Sequence, residues 1–168
     1  NSLCTQSFQL TIIGNSPPIF PRNRTTDLFP SQDSYTDSID INSSFTASPY
    51  LHLSGGSMVR RSYLSFNLTQ IGSPSSLISA RLNLTLFYSS GGASVSVHNV
   101  SFAGNSSPDL SVITFLNPGM FSEIRTTLAS TGVSNSTDQL DVTVLVHEWF
   151  DTIFLNRILG VNLSNEGS

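Results

Sequence analysis

The chain has 168 residues, 38% of them hydrophobic and only 11% charged, and eleven acidic against seven basic residues leave a formal net charge of −4. That length holds one packed domain of ordinary size plus a tail. The acidic balance excludes a basic footprint for nucleic acid or for an anionic membrane surface, and no run of 18 apolar residues is present to span a bilayer as a helix. Ser, Thr and Asn supply about a third of the chain, and every basic residue is Arg. Phe and Leu are frequent enough to build a core, so a folded chain is expected rather than a disordered one. A single cysteine, Cys4, rules out an internal disulfide and a thiolate zinc cluster.

The chain begins at Asn1 rather than Met, as expected of a secreted protein whose signal peptide has been cleaved. In residues 5–13, Phe8, Leu10 and Ile12 alternate with Ser7, Gln9 and Thr11, the period of a half-buried strand. Residues 14–34 contain Pro17, Pro18, Pro21 and Pro30 and read as an extended spacer between that strand and a body over 35–168. Asp33, Asp37 and Asp40 lie close together. They offer oxygen ligands without the spacing of an EF-hand loop, and a solvated turn is the expectation.

Within the body, Leu64, Phe66 and Leu68 alternate with Tyr63, Ser65 and Asn67. In 77–88, Ile78, Ala80, Leu82, Leu84 and Leu86 form one strand face, and Ser79, Arg81, Asn83 and Thr85 the other. In 94–102, Val95 and Val97 share parity with Asn99; a solvent-facing Asn99 therefore predicts a bulge or strand end near His98. The only helical period is short, with Leu145 and Trp149, and Val146 and Phe150, recurring at i+4 behind Asp141 or Thr143 as the cap. Residues 159–163 alternate around Asn162. Turn clusters punctuate these runs at Gly72-Ser73-Pro74, Ser89-Ser90-Gly91-Gly92, Gly104 to Pro108 and Asn117-Pro118-Gly119. The pattern predicts an all-β antiparallel sandwich with at most one short helix.

Asn-x-Ser/Thr sequons occur at Asn23, Asn42, Asn67, Asn83, Asn99, Asn105, Asn135 and Asn162, where composition alone would give about three or four. N-linked glycans are expected, and no other cofactor. No catalytic constellation emerges: there is no Gly-x-Ser-x-Gly, no P-loop and no dinucleotide fingerprint. His147-Glu148 lacks the second His of a zinc protease helix, and His52, His98, Glu123 and the scattered Asp residues form no pattern. No enzyme and no metal site are expected.

Four motifs in sequence resemble a DNRLRE-type surface domain: Asp33-Ser34-Tyr35, Arg61-Ser62-Tyr63-Leu64-Ser65-Phe66, Ser79-Ala80-Arg81-Leu82-Asn83-Leu84 and Val142-Thr143-Val144-Leu145-Val146-His147-Glu148-Trp149, with Asn156 and Gly160 after them. The resemblance implies a jelly-roll sandwich in a secreted or surface protein, some relatives of which bind polysaccharide. It also implies a further apolar strand after Ser164-Asn165-Glu166-Gly167-Ser168, where this sequence ends. A sandwich short of one strand exposes an apolar groove and open ladder edges, and the strand with Phe8, Leu10 and Ile12 is a spare one.

Two readings follow. If that strand fills the groove of the next identical subunit, a head-to-tail contact that does not close builds an extracellular filament, similar to the pilus-like threads of archaeal surfaces and suited to adhesion. An amide from the Asn1 amino group to a neighbour is then a conceivable cross-link. If the strand folds back onto its own sheet, the chain is a monomeric surface domain or secreted carbohydrate-binding module, with Tyr35, Tyr50, Tyr63 or Trp149 as a sugar platform and Trp149 fitting the core better. The scarcity of charge predicts tolerance of acid.

Overall fold

Alternating apolar and polar residues build ladders here, and every ladder among the described residues is antiparallel. The computed structural model describes residues 2–15, 23–71, 77–89, 93–102, 109–121, 126–130, 137–151 and 157–163. In chain order these hold β1 (Ser2–Asn15), β2 (Asn23–Leu28), β3 (Pro30–Asp37), β4 (Leu51–Ser54), β5 (Arg60–Phe66), β6 (Leu77–Ser89), β7 (Ala93–Ser101), β8 (Met120–Phe121), β9 (Thr126–Ser130), β10 (Thr137–Asp141), helix α1 (Thr143–Asp151) and β11 (Ile158–Leu163).

The strands form an all-β sandwich. In the first layer β10, β6 and β1 run side by side, and the far edge of β1 is shared by β4 over Ser2↔Ser54 to Thr5↔Leu51 and by β2 over Leu10↔Leu28 to Asn15↔Asn23. The second layer runs β3, β5, β11, β7, with β8 and β9 on the far edge of β7. A single pair, Ser54↔Arg60, joins β4 to β5 at the corner between layers.

Ile12, Leu82 and Leu140 from the first layer meet Leu64, Val97 and Leu159 from the second, and Leu145, Val146 and Trp149 of α1 close one end. Each such side chain contributes about 1.5–3 kcal/mol by leaving water. The helix starts where the sequence caps it. The Thr143 N–H donates to the Asp141 carboxylate at 2.9 Å, and the Thr143 hydroxyl accepts from the Ala80 N–H at 3.0 Å, which fastens α1 to β6. A second cluster lies on the opposite face of β5, β7 and β11, where Leu110 and Ile113 of the segment 109–119 cover Tyr63, Val100 and Ile158. That strap ends at Gly119, whose φ of +74° suits glycine and whose absent Cβ would stand 2.6 Å from the Phe102 ring.

Three expectations are corrected, and the first strand is placed. Within the single chain β1 pairs with β6 through Phe8↔Leu84, Leu10↔Leu82 and Ile12↔Ala80, and Ile12 is buried. Buried Ala80, Leu82 and Leu84 line the core face of β6, and the chain's own strand pairs with that ladder and adds Ile12 to the same core. The spacer is shorter than 14–34, because residues 23–28 are β2, anchored by buried Leu28, and β3 begins at Pro30; residues 16–22, Asn1 and 164–168 lie outside the described residues. No bulge occurs near His98. Register is unbroken from Val95↔Leu163 to Val100↔Ile158, because Asn99 faces α1, not solvent. Ile78, placed by parity with the core, is 48% exposed.

Candidate functional site

Among the described residues strand β3 is an edge strand whose ladder partner is β5. Its register shifts between Pro30 and Gln32, so Ser31 is an extra residue, a bulge of the kind that re-aims side chains at sheet edges. The Ser31 hydroxyl donates to the Ser65 carbonyl at 3.1 Å. Beside it the Gln32 side-chain oxygen accepts from the Leu110 N–H at 3.1 Å, and the Ser44 hydroxyl donates to the Leu110 carbonyl at 2.8 Å. These bonds hold the strap and the segment 38–50 against β3. The result is a cleft of about 390 Å³ lined by Ser31, Gln32, Asp33, Thr46, Asp109 and Ser111, within the size range of small-molecule sites.

Every lining residue carries a polar side chain. The Ser111 N–H, at 2.9 Å, and then its hydroxyl hold the Asp109 carboxyl below the usual carboxylate range, while partial burial pushes the Asp33 carboxyl up. Two carboxyl groups, three hydroxyls and an amide supply acceptors throughout and a few adjustable donors. A polyol, whose every hydroxyl both donates and accepts, is the matching ligand chemistry.

The aromatic candidates divide. Tyr63 and Trp149 are buried in the two clusters. Tyr35 is also buried, stacked on Phe45 at 4.4 Å with His52 edge-on at 4.7 Å. Tyr50 alone reaches the surface, where its ring stacks on Phe87 at 4.9 Å and 16°. Phe87 is 43% exposed. It is the extra residue where the β1–β6 register shifts between Cys4↔Tyr88 and Thr5↔Leu86. Sequence reasoning missed Phe87, although its odd parity with Arg81, Asn83 and Thr85 on β6 was the available signal. Phe29, 70% exposed just before β3, was missed as well.

The acidic trio does not converge. Asp33 lines the cleft, and Asp40 is an exposed turn residue. Buried Asp37 instead receives the Arg60 guanidinium at 2.7 Å and the Ile39 N–H at 2.8 Å. No group of three or more His, Cys, Asp or Glu among the described residues is arranged to hold a metal ion. Burial, and next the Arg60 charge, lower the His52 pKa against the opposing pull of Asp37. His98 Nε2 sits 3.0 Å from the Asn162 side-chain oxygen, and Glu148 accepts from the Asn99 amide.

The sequons divide too. Asn42 and Asn67 are exposed, whereas Asn83, Asn99 and Asn162 are half-buried. Asn99 is held most firmly, since its oxygen accepts from the Trp149 indole N–H at 2.8 Å while its amide nitrogen donates to Glu148. Asn23 opens β2, and Asn105 and Asn135 lie outside the described residues.

No described helix is long and apolar enough to cross a membrane. No curated protein matches the chain. The family model of carbohydrate-binding module family 96 does match it, over residues 24–155. That stretch runs from β2 through α1 and includes every residue of the cleft as well as Tyr50 and Phe87. Since the match covers most of the sequence, the chain belongs to carbohydrate-binding module family 96, a family of sandwich-type, non-catalytic surface modules.

Proposed function

We propose that the chain is an extracellular module that binds neutral polysaccharide, gripping sugar hydroxyls in the cleft beside β3. The observation that carries this reading is the cleft's lining. Carboxylates there accept from neutral hydroxyl groups through charge-assisted bonds, and the same charges repel an anionic chain. Ser31 and Gln32 are fixed by their own bonds to the backbone, so the edge of the cleft is organised before the ligand arrives. The eight sequons suit a secreted, N-glycosylated protein.

Affinity electrophoresis tests the reading. Native protein runs through gels containing soluble β-glucan, pullulan, galactomannan or a polyuronate. Retardation is expected in at least one neutral gel, with the dissociation constant raised about tenfold by Asp33→Asn or Asp109→Asn. Retardation by the polyuronate alone, or indifference to both substitutions, would overturn the cleft assignment.

One observation favours a second reading, assembly into filaments. β1 lies outside the matched stretch 24–155 yet occupies the middle of the first layer, so the module's own strands leave a slot that β1 of a neighbouring copy can fill as well. Such exchange is heterologous, and repeated it builds a head-to-tail fibre suited to adhesion. Electron microscopy of natively purified protein tests it: fibres are expected, and monomers at high concentration count against it.

A further inference from the structure

From the outer face of the first layer we infer a second carbohydrate contact, separate from the cleft, in which the Tyr50–Phe87 pair stacks against a pyranose ring of an extended glycan lying along β6. The inference rests on the carbohydrate-binding reading and names another site for it.

Ala80, Leu82 and Leu84 of β6 are buried in the core, so the intervening Arg81, Asn83 and Thr85 belong to the outer face. That face is a row of cross-strand polar pairs. The Thr85 and Thr137 hydroxyls lie 3.2 Å apart, and the Arg81 guanidinium donates to the Gln139 side-chain oxygen at 3.3 Å. Both pairs are exposed. Phe87 follows two residues beyond Thr85, and register sets it and Tyr50 on either side of β1, since Thr5 pairs with Leu86 on β6 and with Leu51 on β4.

The geometry selects the occupant. An aromatic ring exposed to 43% beside hydroxyl, amide and guanidinium groups matches a ligand with an apolar C–H face and a hydroxyl edge, which is the surface of a pyranose. An aliphatic partner would leave the polar row without a use, and a purely ionic one would leave the rings without one. From Phe87 to Arg81 the strand advances about 20 Å at the usual rise per residue, longer than one sugar ring, so the face fits a chain rather than a monosaccharide. Tyr50 is fixed for the task by Ser48, whose hydroxyl accepts from the Tyr50 N–H at 3.2 Å and donates to the Tyr50 carbonyl at 2.7 Å.

The test is affinity electrophoresis of the full chain in soluble β-glucan, pullulan and galactomannan gels, comparing wild type, Phe87→Ala, Phe87→Trp and Asp109→Asn. In the gel that retards wild type, Phe87→Ala is expected to raise the dissociation constant about tenfold, and Phe87→Trp, which keeps a ring, to retain binding. The tryptophan's emission is expected to shift to the blue as polysaccharide is added, a signal that a merely structural residue would not give. Wild-type retardation of a folded Phe87→Ala, or the absence of a spectral shift in Phe87→Trp, would overturn this inference while leaving the cleft intact if Asp109→Asn still weakens binding. A wild type retarded by none of the three gels would overturn the carbohydrate reading itself.

Discussion

Asn99→Ala isolates the bond that ties α1 to β7. Trp149 is 3% exposed, and its indole N–H has Asn99 Oδ1 as its acceptor at 2.8 Å. Alanine at position 99 removes that acceptor and leaves the indole N–H of a buried residue without its protein partner. An orphaned buried donor costs about 1–3 kcal/mol, and the lost bond to Glu148 brings the expected total to about 2–3 kcal/mol. For a chain of 168 residues this lowers the melting temperature by roughly 5–10 °C. Urea unfolding followed by circular dichroism measures the loss. The cycle with Trp149→Phe gives the mechanism: with the donor already gone, Asn99→Ala should cost about 1–2 kcal/mol less than in wild type. A single variant within about 0.5 kcal/mol of wild type, or strictly additive losses, would refute this account and return Asn99 to the surface role its sequon suggests.

Two further outcomes follow from named side chains. Asp141 is held below the usual carboxylate range, first by the Thr143 hydroxyl and then by its N–H. A depressed carboxylate stabilises above its unfolded pKa and loses that contribution as pH falls through the folded pKa, so the advantage of wild type over Asp141→Asn should shrink on acidification below the carboxylate range. Asp33 acts in the opposite sense, because burial raises its pKa and protonation relieves a strain that grows as pH rises; urea titrations across that range read both. Expression in a host that N-glycosylates, followed by peptide mapping after enzymatic glycan release, is expected to find Asn42 and Asn67 occupied and Asn99 bare. Glycan on Asn99 would contradict its inward orientation.

What the sequence made legible was the local and the periodic. Alternation placed Leu82 and Leu84 in the core and Arg81 on the surface, and i+4 spacing found α1, because side-chain parity and helical period are properties of neighbouring residues. Ile78 broke the rule, since burial at a strand end depends on what packs over it. Asn99 was misread for a related reason: a polar residue inside is satisfied by partners distant in sequence, here on α1, and no local pattern reports them. The cleft combines β3 with residues from 46 and 109–111, a juxtaposition made by the strap's long-range bonds to Gln32 and Ser44. Its position was invisible in the sequence, although the Asp33-Ser34-Tyr35 motif marked one wall. The stacked pair was half visible, as Tyr50 was a candidate, but its partner Phe87 lies on β6, and no local pattern joins the two.

The seat of β1 allows a decisive perturbation. Removing residues 1–15 strips β6 of a partner from Leu3↔Ser89 to Gly14↔Leu77 and takes Ile12 out of the core that Ala80, Leu82 and Leu84 share. Loss of Ile12 burial alone costs about 2–3 kcal/mol, and each forfeited ladder bond adds about 0.5–1.5 kcal/mol, a sum comparable to the whole stability of a domain. The shortened chain is therefore expected to be unfolded by circular dichroism and to show the red-shifted emission of an exposed Trp149. A synthetic peptide of residues 2–15 supplied in trans should restore the sheet signal and blue-shift the emission, while the same peptide carrying Ile12→Asp should not. Recovery would demonstrate that the slot accepts a strand from another molecule, the step on which filament assembly depends. A shortened chain that folds without the peptide would refute the energetic argument, because the matched module would then close its own sheet and β1 would be an accessory to it.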